Sequence, residues 1–300
     1  MSTRQGTPHS IEQSFETPGP IRLTAELDVG DLRIEASERT DTLVRITPRD
    51  PERETDAKAL SQSLVEQTAA GLLVKTPRQR SIGLFYKPGI LDVLIELPID
   101  STIGVDATAA AVRISGRLGD TRLKTGFGDV DVEHTGAVEI RTGAGNVSLL
   151  RADGTVEAST GTGELRIGSV AGTAVLKSSN GNVRVGGVRG ECRVNTANGS
   201  IQVDSAGAGV VAKTAAGSVQ VGRLVRGVST LRTPFGDIEV GIGRGTAVRL
   251  DAATKFGRVD NRMRLADAPA ADDQTAELHA STSYGDIILT RAPDEEPADA

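Results

Sequence analysis

The amino-acid sequence predicts an all-β fold: a β-solenoid of about ten coils, each about 18 residues long, behind an N-terminal β-rich cap. Three observations predict it. One motif recurs with a fixed glycine. Apolar and polar residues alternate on both sides of that glycine. The composition supplies a core of Val, Ile, Leu and Ala and almost no rings.

The motif is Thr/Ser-x-x-Gly-x-Val/Ile/Leu-x-apolar. It runs from Thr125 to Val132 and recurs from Thr142, Thr160, Ser178, Thr196, Thr214, Thr233, Thr254 and Thr282. Its glycines, from Gly128 to Gly285, are spaced 17, 18, 18, 18, 18, 19, 21 and 28 residues apart. The window ending at Asn261 has a polar residue at the last apolar position. One step further back, Ala107 to Ile114 reads as a degenerate coil with Ala110 at the glycine site.

A second short strand precedes each Thr, as in Val138-Glu139-Ile140-Arg141-Thr142. Its alternation turns one face to the core and one to water. Two short strands and their turns use up the repeat and leave no room for a helix. One coil cannot bury its inward Val and Ile alone, so parallel stacking at about 4.8 Å is required to close hydrogen bonds and core together. With aromatics at 2% and no Trp, that core is thin and aliphatic. The site two after the Thr forms a column that ends in Phe235, Phe256 and Tyr284, which stack near the C-terminal end, and places Asn180 beside Asn198 as an amide ladder.

The rest of the chain is divided by its breaks in pattern. Residues 1–17 read as a flexible lead and 292–300 as a flexible acidic tail. Between them, 18–104 reads as the cap and 105–291 as the solenoid. Within the cap, Ile21–Ala25, Gly30–Ala36, Leu43–Thr47 and Leu91–Leu97 read as strands, and Glu52–Leu60 as a short helix after Pro51. Ser63–Gln67 and Leu72–Lys75 read as a hairpin around Gly71. A cap is needed because an open solenoid end exposes unpaired strand edges.

The N-terminal β segment, then Leu91-Asp92-Val93-Leu94-Ile95-Glu96-Leu97-Pro98, then the train of Thr-x-x-Gly-x-Val/Ile-x-Val motifs, together resemble a known family. It is the bacterial adhesin-type domain family of unknown function, the β-strand-repeat class common in actinobacteria. The resemblance covers about residues 20–291. It implies surface binding and brings no catalytic residues with it.

The net charge of −6 carries no basic excess of the kind a nucleic-acid partner demands. No window approaches a membrane span, and no apolar leader follows Met1. The expected compartment is therefore the cytoplasm, with surface association by a non-classical route left open. The expected partner is a protein or a glycan.

Candidate sites reduce to one face. Lys124, Arg141, Lys177, Lys213 and Arg232 share an outward position, with Ser159 and Asn195 between them. That column could touch an acidic polymer; as a plain solvated face it keeps the sheet soluble. The residue after the key glycine varies among Asp, Asn, Glu, Ser and Arg, which suits turn capping and not a calcium column. His9, His134 and His279 have no ligand spacing, so no metal is expected. Cys192 shares the inward position of Val138 and Val156 and reads as core, not as a nucleophile. Gly161-Thr162-Gly163 lacks the following helix a phosphate loop needs. Phe85 and Tyr86 are expected to pack on the first coil. No catalytic residue and no cofactor are expected. The reading is a non-catalytic, adhesin-like interaction or scaffold protein using flat solenoid faces; the alternative is a carbohydrate-active or anionic-glycan-binding protein on a β-helix scaffold.

Overall fold

The computed structural model describes residues 10–78, 88–263 and 274–293. The chain is a β-solenoid that divides into two compact units, Met1–Gly145 and Asn146–Ala300.

In the first unit, β1 (Ile11–Glu16) pairs antiparallel with β3 (Asp41–Pro48). β2 (Arg22–Ser37) is one continuous strand of 16 residues. The helix α1 (Glu54–Ser61) comes after β3, then the hairpin β4 (Leu64–Thr68) and β5 (Gly71–Lys75), then β6 (Ile90–Pro98). β7 (Thr102–Arg117) is the second long strand. β8 (Thr121–Phe127), β9 (Val130–Thr135) and β10 (Val138–Ala144) complete the unit.

β2 lies in parallel register with β7 over nearly its whole length, from Arg22 opposite Thr102 to Glu35 opposite Ser115. Its other edge takes β5 and β6, also parallel. The sequence expectation therefore needs two corrections. Residues 22–37 are a coil of the solenoid and not part of a separate cap; Gly30 sits opposite Ala110, the glycine site of the next coil. Ile11–Glu16 is a strand, not a flexible lead. A long intervening segment separates β2 from β7 in sequence, so an 18-step search cannot join them.

The outer edge of this unit is covered by β3 on β6, by β1 on β3, and by α1, which packs against both β3 and β6. The helix is fixed by a buried carboxylate. Asp56, fully buried, accepts backbone N–H bonds from Ile90 at 3.0 Å and Asp50 at 3.2 Å. Phe85, Tyr86 and His9 lie outside the described residues.

In the second unit each coil contributes one strand to a front sheet and one to a rear sheet. Front strands such as Val156–Thr162, Ala174–Asn180 and Cys192–Asn198 stack in parallel without slippage. Rear strands stack equally: Val147, Leu165, Val183, Ile201 and Val219 form one column, each at most 1% exposed. The two sheets turn their Val, Ile, Leu and Ala inward, and that shared interior is the core.

Two polar devices recur at the turns. First, the Thr of the motif points inward and its hydroxyl donates to the key glycine carbonyl of the neighbouring coil. Thr214 Oγ1 donates to Gly199 O at 2.9 Å, Thr233 to Gly217 O at 2.8 Å and Thr282 to Gly236 O at 2.9 Å. Second, the side chain after the key glycine accepts the N–H of the same position one coil on. Asn182 Oδ1 takes Ser200 N–H at 2.9 Å, and Asp237 Oδ1 takes Asp286 N–H at 2.8 Å. Short acceptors of different kinds serve alike, Asn182, Ser200 and Asp237 among them.

The key glycines are required by the stack. Gly217 has φ +139°, and a Cβ there would stand 2.3 Å from the carbonyl oxygen of Gly199. Gly199 stands in the same relation to Gly181, at 2.2 Å. No side chain fits so close to a backbone oxygen, and the dihedral itself disfavours L residues.

The C-terminal coils depart from sequence order. Gln274–Tyr284 pairs with Gly227–Phe235 on one edge and with Thr246–Phe256 on the other. The rear strands keep the same order: Ile287–Arg291 lies between Ile238–Ile242 and Val259–Asn261. The last coil in the chain is thus the penultimate coil in the stack. Tyr284 lies between Phe235 and Phe256, with ring centroids at 5.2 and 4.8 Å, so the predicted aromatic stack forms in a different order.

Two measurements test this description. Gly217→Ala is expected to lower unfolding free energy by about 3–5 kcal/mol or to prevent folding, by combined dihedral strain and overpacking. Gly187→Ala, where a Cβ meets only Ser205 Oγ at 3.2 Å, should stay within about 1 kcal/mol of the parent in the same denaturant titration. Thr233→Val should cost about 1–3 kcal/mol, because it removes the donor to the Gly217 carbonyl. Ser178→Ala should be near neutral by thermal melting, because that buried hydroxyl has no partner to lose.

Candidate functional site

The front sheet of the second unit carries the basic column that the sequence singles out. Ser159, Lys177, Asn195, Lys213, Arg232 and Ser281 succeed one another on six successive strands, each directly opposite the next. At the spacing of parallel strands, Lys177 and Lys213 stand about 10 Å apart and Lys213 and Arg232 about 5 Å apart. All three cations are exposed. None of them forms an ion pair among the described residues. In the first unit, Lys124 and Arg141 are likewise opposite each other. There the neighbouring acid intervenes: Glu139 pairs with Arg141 at 2.7 Å and with Arg122 at 3.4 Å.

The sheet around the column is low. The next outward position towards the key glycine is occupied by Gly161, Ser179, Ala197 and Ala215. On the other side stand Val175, Arg193 and Val211. Arg193 is held in a bidentate pair by Glu191 at 2.9 and 3.0 Å. An extended ligand could lie along Lys177, Lys213 and Arg232 without meeting a wall on the small-residue side.

A second surface of this unit lies outside the sequence expectations. The pairing of the rear strands skips one position after the second inward residue, and the positions beyond the skip line a groove of about 510 Å³. Arg151, Ser169, Gly187, Ser205 and Arg223 run along it in register, one per coil, with Arg189 beside them. Arg151 is paired with Asp153 at 3.0 Å. The sequence does hold a signal, because these positions are spaced by 18. It is hard to see because Arg, Ser and Gly share no chemical class, and only the folded structure shows that they face one hollow.

The remaining candidates fall apart in space or are buried. His134 is the penultimate residue of β9, and His279 lies on the strand Gln274–Tyr284 between Asp251 and Glu277, with 3.2 Å to each. Among the described residues no three His, Cys, Asp or Glu side chains cluster as a metal site. Cys192 is fully buried between Ala174 and Val210. Burial, with a smaller contribution from the charge of Glu191, pushes its thiol up to about 12. In the phosphate-loop lookalike, Gly161 and Thr162 end the strand Val156–Thr162 and Gly163 begins the corner to the next strand. No helix among the described residues is long and apolar enough to cross a membrane.

Parallel coils with a thin aliphatic interior, two flat exposed sheets and side chains set out in straight columns define a β-solenoid repeat protein. The chain belongs to the Toastrack DUF4097 family, whose model matches residues 25–240. No curated protein matches it in sequence. Among solved structures it is similar to a candidate adhesin of Bacteroides fragilis, at 14% identity and TM-score 0.39, over 95% of this chain and 99% of that one. It is also similar to a candidate lipid-binding protein of Parabacteroides distasonis, at 13% identity and TM-score 0.39, over 95% and 98%. A third likeness is to a candidate cell-adhesion protein of Clostridium sporogenes, at 11% identity and TM-score 0.23, over 94% and 99%.

The state of Cys192 is directly measurable. A thiol reagent at pH 8 should leave the native protein unmodified and label one thiol per chain after denaturation. Labelling of the native protein at the rate of a free thiol would contradict the buried, protonated state.

Proposed function

We propose that this protein is a non-catalytic, adhesin-like interaction or scaffold protein, and that the front sheet of its second unit is the binding face. The observation that carries the reading is the line of Lys177, Lys213 and Arg232 on a low, flat sheet, exposed and without ion pairs among the described residues. The chain as a whole is acidic, at −6, so such a line is a local departure from the surface average. Its chemistry fits an extended partner with repeated negative charge, such as an acidic polysaccharide or an acidic protein segment.

The corner groove supports a second reading, an anionic-glycan binder. Ser169 and Ser205 lie between Arg151 and Arg223 along one hollow. Hydroxyls and guanidinium groups together suit a sugar chain carrying carboxylates. The two readings place the ligand on different surfaces of the same unit and can be separated by mutation.

Binding to immobilised polygalacturonate and to a polyglutamate peptide tests both. Under the first reading, Lys177→Glu, Lys213→Glu and Arg232→Glu together weaken binding at least about tenfold, and added salt weakens the parent likewise. Arg189→Glu in the groove then has little effect. Under the second reading the pattern inverts and only the polysaccharide binds. Circular dichroism guards against misfolding, and the outward position of every substituted residue keeps the core intact. Absence of binding to both polymers by the parent protein would rule out the basic face, and release of sugar products would rule out a non-catalytic role.

A further inference from the structure

The stack in the second unit ends on the coil formed by Thr246–Phe256 and Val259–Asn261. Among the described residues, each of these strands is paired along one edge only. The contrast with the neighbouring coil is sharp. Ala276, Leu278 and Ala280 are at most 5% exposed, whereas Val248, Leu250 and Ala252, directly opposite them, are only half-buried. Phe256 is 64% exposed and Val259 43%. An edge of 11 residues with an apolar inner side is a template for another strand.

We propose that this edge pairs antiparallel with the same edge of a second copy, as a twofold dimer centred on Leu250. The charge pattern singles out that occupant. In an antiparallel pair related by a twofold axis normal to the sheet, inward residues must face inward residues, so only alternate registers are open. Centring on Leu250 places Leu250 opposite Leu250, Val248 opposite Ala252 and Thr246 opposite Thr254, all on the inner side. On the outer side it places Arg249 opposite Asp251, twice by symmetry. Centring on Arg249 sets two arginines against each other, and centring on Asp251 sets two aspartates against each other. Shifting to Ala252 brings Arg249 against Lys255. Of these registers, the Leu250-centred one alone joins opposite charges and pairs the apolar inner side chains. Arg249 forms no ion pair among the described residues, and Asp251 is 77% exposed, touched by His279 Nδ1 at 3.2 Å. Both are thus available to a partner strand.

The dimer continues the parallel stack with one antiparallel seam. It closes the half-open core layer and satisfies the free N–H and C=O groups of the edge. This inference is independent of the ligand face proposed above, because the seam lies at the end of the stack and the basic column on its flank.

The experiment is sedimentation and disulfide trapping of the full chain. The parent protein should be a dimer at micromolar concentration and above. Leu250→Cys should form an intermolecular disulfide under mild oxidation, whereas Ala253→Cys, whose symmetry mate lies about 20 Å away along the strands, should not. Cys192 is buried and does not interfere. Arg249→Asp should weaken dimerisation at least tenfold, and the exchange Arg249→Asp with Asp251→Arg should restore it. A monomeric parent across the accessible concentration range would overturn the proposal. So would a dimer indifferent to Arg249→Asp, or equal trapping of the two cysteine variants. Both charge variants are outward-facing and should keep the parent circular-dichroism spectrum.

Discussion

The close approach of backbone to backbone at the key glycine is the constraint on which the rest of the solenoid depends. A carbonyl oxygen about 2 Å from where a Cβ would stand fixes the distance between coils at the turn. Once that distance is fixed, the hydrogen-bond ladder on either side falls into register, and register decides which face each side chain occupies. The buried Thr and the capping residue after the glycine both act at this same corner. The Thr hydroxyl donates to the glycine carbonyl, so the one polar group that the turn leaves inside is satisfied. The short acceptor beside it holds the N–H of the coil above. The aliphatic core then needs little shape specificity of its own. Val156, Ala174, Cys192 and Val210 share one column, and Ala158, Leu176, Val194, Ala212 and Leu231 the next, because position is dictated at the corner.

Columns also explain how a surface with so few aromatic residues can carry a site. A globular protein brings distant residues together by tertiary packing. Here one outward position repeated every coil becomes a line of side chains at strand spacing. Neighbours on that line interact strongly only if their chemistry matches, so most cations are neutralised locally. Glu164 serves both Arg166 and Arg184, and Glu191 serves Arg193. Lys177, Lys213 and Arg232 stand where the adjoining positions are small or apolar, and their charge remains available to a partner.

Much of this is legible in the sequence. The glycine spacing, the alternation around it and the lack of rings lead to the solenoid, and the residues assigned to the front and rear columns match the observed register. The failures lie where stacking neighbours are not sequence neighbours. β2 joins β7 across an intervening segment that carries its own strands and helix, so no fixed period links them. The order of the last coils is missed for a different reason. The aromatic column is compatible with either order of Tyr284 and Phe256, and chain order is the simpler of the two. Two signals favour the exchange. The interval from Gly257 to Gly285 is 28 residues, enough extra chain to pass over a coil. Asn261 occupies a site that is Leu289 in the neighbouring coil and Val240 in the coil beyond it.

That asparagine shows why the exchange is favoured. A coil inside the stack has both its edges paired and its inward side chains covered above and below. A coil at the end has one layer of cover. The coil of Gln274–Arg291 brings Ala276, Leu278, Ala280, Ile287 and Leu289 inward, all nearly inaccessible, and gains most from the inner place. The coil of Thr246–Asn261 brings a polar Asn261 to the same face and loses least at the end, where that amide stays in water. The first unit is arranged on the same logic. β2, the first coil in the chain, lies between β7 and the pair β5 and β6, and so is also paired along both edges. The coil of β2 and the coil of Gln274–Arg291 are each clasped between others, so peeling either away must break two ladders of hydrogen bonds and not one. Beyond the clasped coil the two units differ: β3, β1 and α1 cover the β6 edge in the first, whereas in the second the described residues end on the Thr246–Asn261 coil. An edge that sequence and packing leave half-closed, yet alternate in charge about a single leucine, is fitted to meet its own copy.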